Sequence, residues 1–250
     1  MTAPHELFAQ PIAHRGLHDA SAGVAENSRT AVLAAIEAGY GIEVDVQVTA
    51  DGEAVVFHDR MLDRLTGRPG AVAQHRADEL CAMPLSASAN GDRIWRLQEL
   101  VELVDGRAPL VVEMKSLWNR QMQLATRTAT ILAAAPGLVA VKSFDPEMII
   151  AVRKTAPHLP RGIIGHAFPP IDGEGRWLPS GRFCLRNLLH WPLTRPDFLS
   201  WDVHDLPRRS VQMAEHLFKV PVMTWTVRTP ADQARAALYA DQIVFEGFRP

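Results

Sequence analysis

The chain has 250 residues, a formal net charge of −2, a pI near 6.6 and 47% hydrophobic residues. That length suits a single domain, and that apolar content supports a sizeable core, which excludes global disorder. The near-neutral balance argues against a broad basic surface for nucleic acid, and no apolar run approaches the roughly 20 residues of a membrane span.

In chain order, short apolar strand-like runs fall at 11–15, 41–47, 109–114, 138–142, 161–165, 198–202, 221–227 and 242–246. Helical patterns fall at 27–38, 97–104, 119–135, 146–156, 207–217 and 230–239. Strand–helix alternation predicts a parallel sheet covered by helices, and eight such units predict closure. The expected fold is α/β: a (β/α)8 TIM-type barrel, one domain over 1–250, with an insertion at 59–96 after the second strand. Gly39 reads as a helix C-cap, Asp145 and Thr229 as N-caps, and Pro146, Pro207 and Pro230 as first-turn prolines. Two stretches break the alternation, 62–96 and 168–196, both rich in Gly and Pro. The first carries a short helical pattern near 74–80, and both are long enough to overlie a barrel mouth.

Met1–Gln10 shows neither the basic nor the apolar region of a secretory signal, so a cytoplasmic protein without stable membrane association is expected. Cys81 and Cys184 are far apart and read as free buried thiols. Oligomeric state is not legible.

Chemistry concentrates between Ile12 and Asp59. Glu43 and Asp45 are two apart on one strand and share a face, while Val44 and Val46 point the other way. Glu113 repeats the pattern on the next barrel strand. Carboxylates facing a barrel interior are costly unless paired or bound to a cation. Three oxygen donors without cysteine suit a hard ion, Mg²⁺ or Ca²⁺. Pairing of Glu43 with an arginine and of Glu113 with Lys115 is the plain structural alternative.

His14 ends the first strand, at the face where barrel active sites form. His58 ends a run that follows Asp51-Gly52, a type I′ hairpin signal. A two-residue turn would set His58 directly opposite Asp45. The two imidazoles can divide acid and base roles. The other histidines read as structural, with His18 a weaker alternative in the same loop as His14. Arg15 and Lys115 are placed to stabilise phosphate charge, although Arg15 also suits a salt bridge to Glu26 or Asp19. Asn27 reads as a helix cap in preference to a partner of His14. No phosphate-binding Gly-rich loop and no Gly-x-Ser-x-Gly elbow is present.

The order His14-Arg15, Glu43-Val44-Asp45, His58-Asp59 resembles the glycerophosphodiester phosphodiesterase family. Val112-Glu113-Met114-Lys115, Lys142-Ser143-Phe144 and Thr224-Trp225-Thr226-Val227 extend the resemblance along the chain. It implies a (β/α)8 barrel with a divalent cation on Glu43, Asp45 and Glu113. It further implies His14 and His58 as the acid–base pair, Arg15 and Lys115 on the phosphate, and Trp225 lining the glycerol pocket. Departures fall at Ala25, at Trp95-Arg96, which is expected to reshape the pocket rim, and at Phe245-Glu246.

The expected activity is that of a phosphoric diester hydrolase on a small-molecule substrate. It would release sn-glycerol 3-phosphate and an alcohol from deacylated phospholipid headgroups, with water or the glycerol 2-hydroxyl as nucleophile. The rivals are a phospholipase C or D type enzyme on another phosphodiester lipid or opine-like substrate, and a non-catalytic barrel that binds a phosphorylated metabolite.

Overall fold

In a computed structural model that describes residues 4–168 and 179–250, the strands are β1 (Ile12–Ala13), β2 (Gly41–Val48), β3 (Ala54–Val56), β4 (Trp95–Arg96) and β5 (Leu110–Met114). They continue as β6 (Val139–Ser143), β7 (Arg161–Gly165), β8 (Phe198–Asp202), β9 (Val222–Val227) and β10 (Gln242–Phe245). Eight of them, all but β3 and β4, pair in parallel in the order β1-β10-β9-β8-β7-β6-β5-β2, and β1 closes on β2. The closed barrel is the expected one. Strands β3 and β4 are antiparallel extensions from β2.

The helices are α1 (Arg29–Glu37), α2 (Asp63–Thr66), α3 (Ala77–Cys81), α4 (Leu97–Val104) and α5 (Gln123–Ala133). They continue as α6 (Pro146–Thr155), α7 (Pro179–Arg186), α8 (Trp191–Thr194), α9 (Arg209–Phe218) and α10 (Pro230–Tyr239). Their ends follow local chemistry. The Asp145 carboxylate accepts from the Glu147 N–H, and Pro146 opens α6 without losing a needed donor. Thr229 and Asp232 cap α10 reciprocally.

Alternation along each barrel strand sorts side chains into two cores. Val44, Val46, Val112, Val141 and Leu199 point outward and pack under the helices. Ile12, Val111, Ala140, Phe198, Met223 and Val244 point inward and fill the barrel floor, with Leu7 and Phe8 packed on them. Gly162 leaves the space taken by the Phe198 ring, because a Cβ there would lie 2.3 Å from it. This apolar floor confines polar groups to the layer above, at the C-terminal ends of the strands. Segment 57–94 builds a separate core around Phe57, Leu62, Leu80 and Ile94.

Five expectations are corrected. The β2–β3 turn takes three residues, with Gly52 at φ 82°, so Val46 faces Val56 and the Phe57 N–H donates to the Asp45 carbonyl. His58 is therefore one position out of register with Asp45. Pro207 precedes α9 instead of opening it. Cys81 is half-buried and Cys184 exposed, so neither thiol is buried, although both are free. Segment 168–196 contains α7 and α8, and its residues 169–178 lie outside the described residues. Finally, Trp95 is buried and Arg96 pairs with Asp78, so neither shapes the pocket rim.

Candidate active site

The β1–α1 loop positions most of the first motif. Arg15 has φ 56° and Gly16 φ 75°, which turns the chain sharply after His14. Gly16 is required on two counts: its positive φ, and a Cβ that would lie 2.8 Å from the Ala31 backbone. The turn aims the Arg15 N–H at Glu43 Oε2, 3.1 Å away. It also brings the guanidinium to Glu26 Oε1 at 2.7 Å and to Asp45 Oδ2 at 3.3 Å.

Glu43, Asp45 and Glu113 are all buried, and one carboxylate oxygen from each lies within 4.8 Å of those of the other two. The parallel register sets Asp45 beside Glu113 and Glu113 beside Lys142. Lys115 Nζ bridges Asp45 Oδ1 at 2.9 Å and Glu113 Oε1 at 2.5 Å. Lys142 Nζ lies 3.0 Å from Glu43 Oε1 and 3.8 Å from Glu113 Oε2. Burial alone would raise the Asp45 pKa, but Lys115, then His58 and Arg15, hold it far below the usual carboxylate range. Burial likewise works against the Lys115 charge, and Asp45 and Glu113 overcome it and raise the ammonium pKa. Glu43 Oε1 and Asp45 Oδ1 are enclosed and accept no well-directed hydrogen bond despite their ammonium neighbours. Such oxygens retain lone pairs for a hard divalent cation, so the donor set fits one.

Asn27 does not cap α1. Ser28 does so, by accepting from the Ala31 N–H. The Asn27 side chain instead grips Asp45 twice: Nδ2 donates to Oδ2 at 2.9 Å, and Oδ1 accepts from the backbone N–H at 3.0 Å. Trp95 Nε1 in turn donates to the Asn27 carbonyl at 2.9 Å.

Each motif histidine is held by a carboxylate. His14 Nδ1 lies 2.7 Å from Glu246 Oε2, and His58 Nδ1 lies 2.7 Å from Asp59 Oδ1. A carboxylate only accepts, so Nδ1 carries the hydrogen and Nε2 is left for chemistry in the neutral ring. The hydrogen bond with His14 is the main cause that lowers Glu246 to about 2, and Arg228 adds to it. Asp59 is lowered to about 2, mainly by hydrogen bonding from Arg64. Arg64 also binds Glu26, with Nη1 2.8 Å from Oε2, and Glu26 binds Arg15. A chain of ion pairs through the insertion's α2 thus ties His58 to Arg15. The ligand atoms of His18 also lie within 4.8 Å of those of His14 and Glu246, and burial lowers the His18 pKa.

His14, Arg15, His58, Lys115, Phe144 and Trp225 share one cavity of about 350 Å³ over the carboxylates. A larger cleft of about 1030 Å³ lies among Phe8, Val220 and Asp241, away from every one of these groups. The structure therefore gathers the expected site residues at one mouth. Sequence reasoning missed Lys142, the Asn27 grip and the Glu246–His14 pair. A lysine at an inward position of an otherwise apolar strand was the available signal for the first. The other two depend on contacts across 18 and 232 residues of chain.

Fold and site define the class: a closed (β/α)8 barrel with an acidic cluster and two carboxylate-held imidazoles at its C-terminal mouth. More narrowly, the chain belongs to the glycerophosphoryl diester phosphodiesterase family, whose model matches residues 14–244. The glycerophosphodiester phosphodiesterase of Caldanaerobacter subterraneus subsp. tengcongensis is 34% identical over 161 residues, which cover 61% of this chain and 65% of that protein. The match thus spans just under two thirds of that relative. A phosphodiesterase of Oleispira antarctica, solved with the product sn-glycerol-3-phosphate, superposes with TM-score 0.77 at 20% identity, covering 95% of this chain and 92% of that one. The glycerophosphodiester phosphodiesterase of Thermotoga maritima gives TM-score 0.68 at 24% identity, over 94% and 92%. At these identities the two structures establish the shared fold.

Proposed function

We propose that this protein hydrolyses glycerophosphodiesters to sn-glycerol 3-phosphate and an alcohol. The observation that carries the proposal is the convergence of two imidazoles, each fixed through Nδ1 by a carboxylate, on a cavity that also holds Arg15 and Lys115. Two independently held Nε2 atoms suit a reaction that needs one proton removed and one delivered. Binding a phosphorylated metabolite would need neither.

His14 and His58 act as the acid–base pair. One accepts the proton of the attacking hydroxyl, and the other protonates the departing alkoxide oxygen. Arg15 and Lys115 orient the phosphate and offset the charge that builds on its oxygens as the bond breaks. Trp225 and Phe144 form an apolar wall of the cavity for the glycerol carbons. Glu43, Asp45 and Glu113 are the residues to hold a divalent cation, Mg²⁺ or Ca²⁺. When bound, it supplies Lewis-acid polarisation of a phosphoryl oxygen. Asn27 fixes one of those ligands, and Glu246 and Asp59 fix the rings. The product complex of the Oleispira antarctica phosphodiesterase supports a small glycerophosphodiester as the substrate class.

The test measures release of sn-glycerol 3-phosphate from glycerophosphocholine and glycerophosphoethanolamine. It uses Mg²⁺, Ca²⁺ or EDTA with wild type, His14→Ala and His58→Ala. Metal-dependent release that falls by about 10²–10⁴ in each variant is expected, the range typical of general acid–base groups. Near-normal turnover in either folded variant removes that histidine from the mechanism. No release from folded wild type with any cation refutes the substrate class.

A further inference from the structure

We infer that Lys142 is a built-in competitor for the divalent-cation site, one that weakens metal binding by occupying part of the carboxylates' charge demand. The inference rests on the metal-site reading of Glu43, Asp45 and Glu113 given above.

Lys142 lies on β6 at a position where the barrel strand is otherwise apolar, and it is 2% exposed. An ammonium is not stable there without partners, because losing its hydration costs several kcal/mol. The partners are two of the three candidate metal ligands: Glu43 Oε1 at 3.0 Å and Glu113 Oε2 at 3.8 Å. The parallel register of β5 with β6 fixes this placement by setting Glu113 directly beside Lys142.

The side-chain charges of the cluster balance before any metal is added. Glu43, Asp45 and Glu113 carry three negative charges, and Arg15, Lys115 and Lys142 carry three positive ones within ion-pair reach of them. Arg15 is shared with Glu26, and Lys115 faces the cavity, where a phosphate can take over its pairing. Lys142 also borders that cavity, but it is only 2% exposed and its ammonium is held against Glu43 and Glu113. A cation on Glu43 would sit within about 2.0–2.6 Å of a carboxylate oxygen. That is nearer to Glu43 than the lysine now lies, and on the same buried group. The two positive charges would then repel across a few ångströms of poorly screened interior. The protein without metal is stabilised by Lys142, and the metal-loaded protein is penalised by it. Both effects reduce divalent-cation affinity.

The experiment compares Mn²⁺ binding to metal-stripped wild type, Lys142→Met and Lys142→Gln, with free Mn²⁺ counted by electron paramagnetic resonance. Methionine removes the charge and keeps an unbranched chain of similar volume; glutamine keeps a donor should the apolar replacement not fold. The expected result is a dissociation constant at least tenfold lower in the folded variant than in wild type. Melting temperatures with EDTA give an independent reading: the variant should lose stability when stripped and regain more of it with Mn²⁺ than wild type does. Equal or weaker Mn²⁺ binding by the variants overturns the role of Lys142 and leaves the divalent site standing. No Mn²⁺ binding by any of the three proteins overturns both.

Discussion

Replacing Asn27 separates side-chain support of the acidic cluster from backbone shape. The residue is 2% exposed and sits at φ 56°, a left-handed conformation that asparagine tolerates and alanine does not. Asn27→Ala removes a donor to the Asp45 carboxylate and an acceptor for the Asp45 N–H. A neutral hydrogen bond contributes about 0.5–1.5 kcal/mol and one to a charged group about 1.5–3 kcal/mol. Arg15 Nε, 3.3 Å from the same Asp45 oxygen, offsets part of the second loss. The side-chain cost is thus about 2–4 kcal/mol, and the left-handed backbone adds roughly 1 kcal/mol more for alanine. Asn27→Gly loses the same hydrogen bonds without the backbone strain. Urea unfolding followed by tryptophan fluorescence, for wild type and both variants, should rank wild type first, Gly second and Ala third, with about 1 kcal/mol between the variants. An Asn27→Ala protein within about 1 kcal/mol of wild type would refute the grip on Asp45. Equal Gly and Ala variants would refute the backbone part alone.

Glu246→Gln tests the His14 dyad by pH. Because the folded pKa is about 2 against an ordinary 4.5, the carboxylate stabilises the fold above pH 4.5 and loses that contribution as pH falls toward 2. The difference in unfolding free energy between wild type and variant should reach at most about 3 kcal/mol at pH 5 and shrink across that window; a pH-independent difference would sink the linkage. Gly162→Ala places a Cβ 2.3 Å from the Phe198 ring in the barrel floor. It should cost about 1–3 kcal/mol in chemical denaturation, as overpacking does. Thr229→Ala removes the α10 cap to Asp232 and should cost about 1 kcal/mol, seen as a drop in melting temperature with unchanged cation binding.

The strand frame was legible because its signals are local. The strands at 161–165 and 198–202 coincide with β7 and β8, and β2 runs one residue beyond its expected end. Buried parallel strands read as short apolar runs whatever surrounds them, and a carboxylate inside such a run announces a barrel interior. Glu43, Asp45 and Glu113 were therefore found together. Alternation also fixed their common face before any contact was known. Helix starts were legible where a proline follows a capping side chain, as at Asp145-Pro146 and Thr229-Pro230.

What only the tertiary structure decided depends on groups brought together across the chain. The β2–β3 register turned on whether the turn took two residues or three, a choice to which the local pattern is nearly indifferent. Gly52 has a positive φ in either, whereas Asp51 would need one only in the two-residue turn and does not have it. Asn27 passed for a cap because Ser28 beside it serves equally well and the Asp45 contact is not local. Glu246 reaches His14 only because the barrel closes β10 onto β1. Lys142 meets Glu43 only because β6, β5 and β2 are neighbours in that closed sheet. Residue types and periodicity determined which chemistry was available, since they set burial and face; barrel closure decided which charges share a dielectric, and so which of them act as one site.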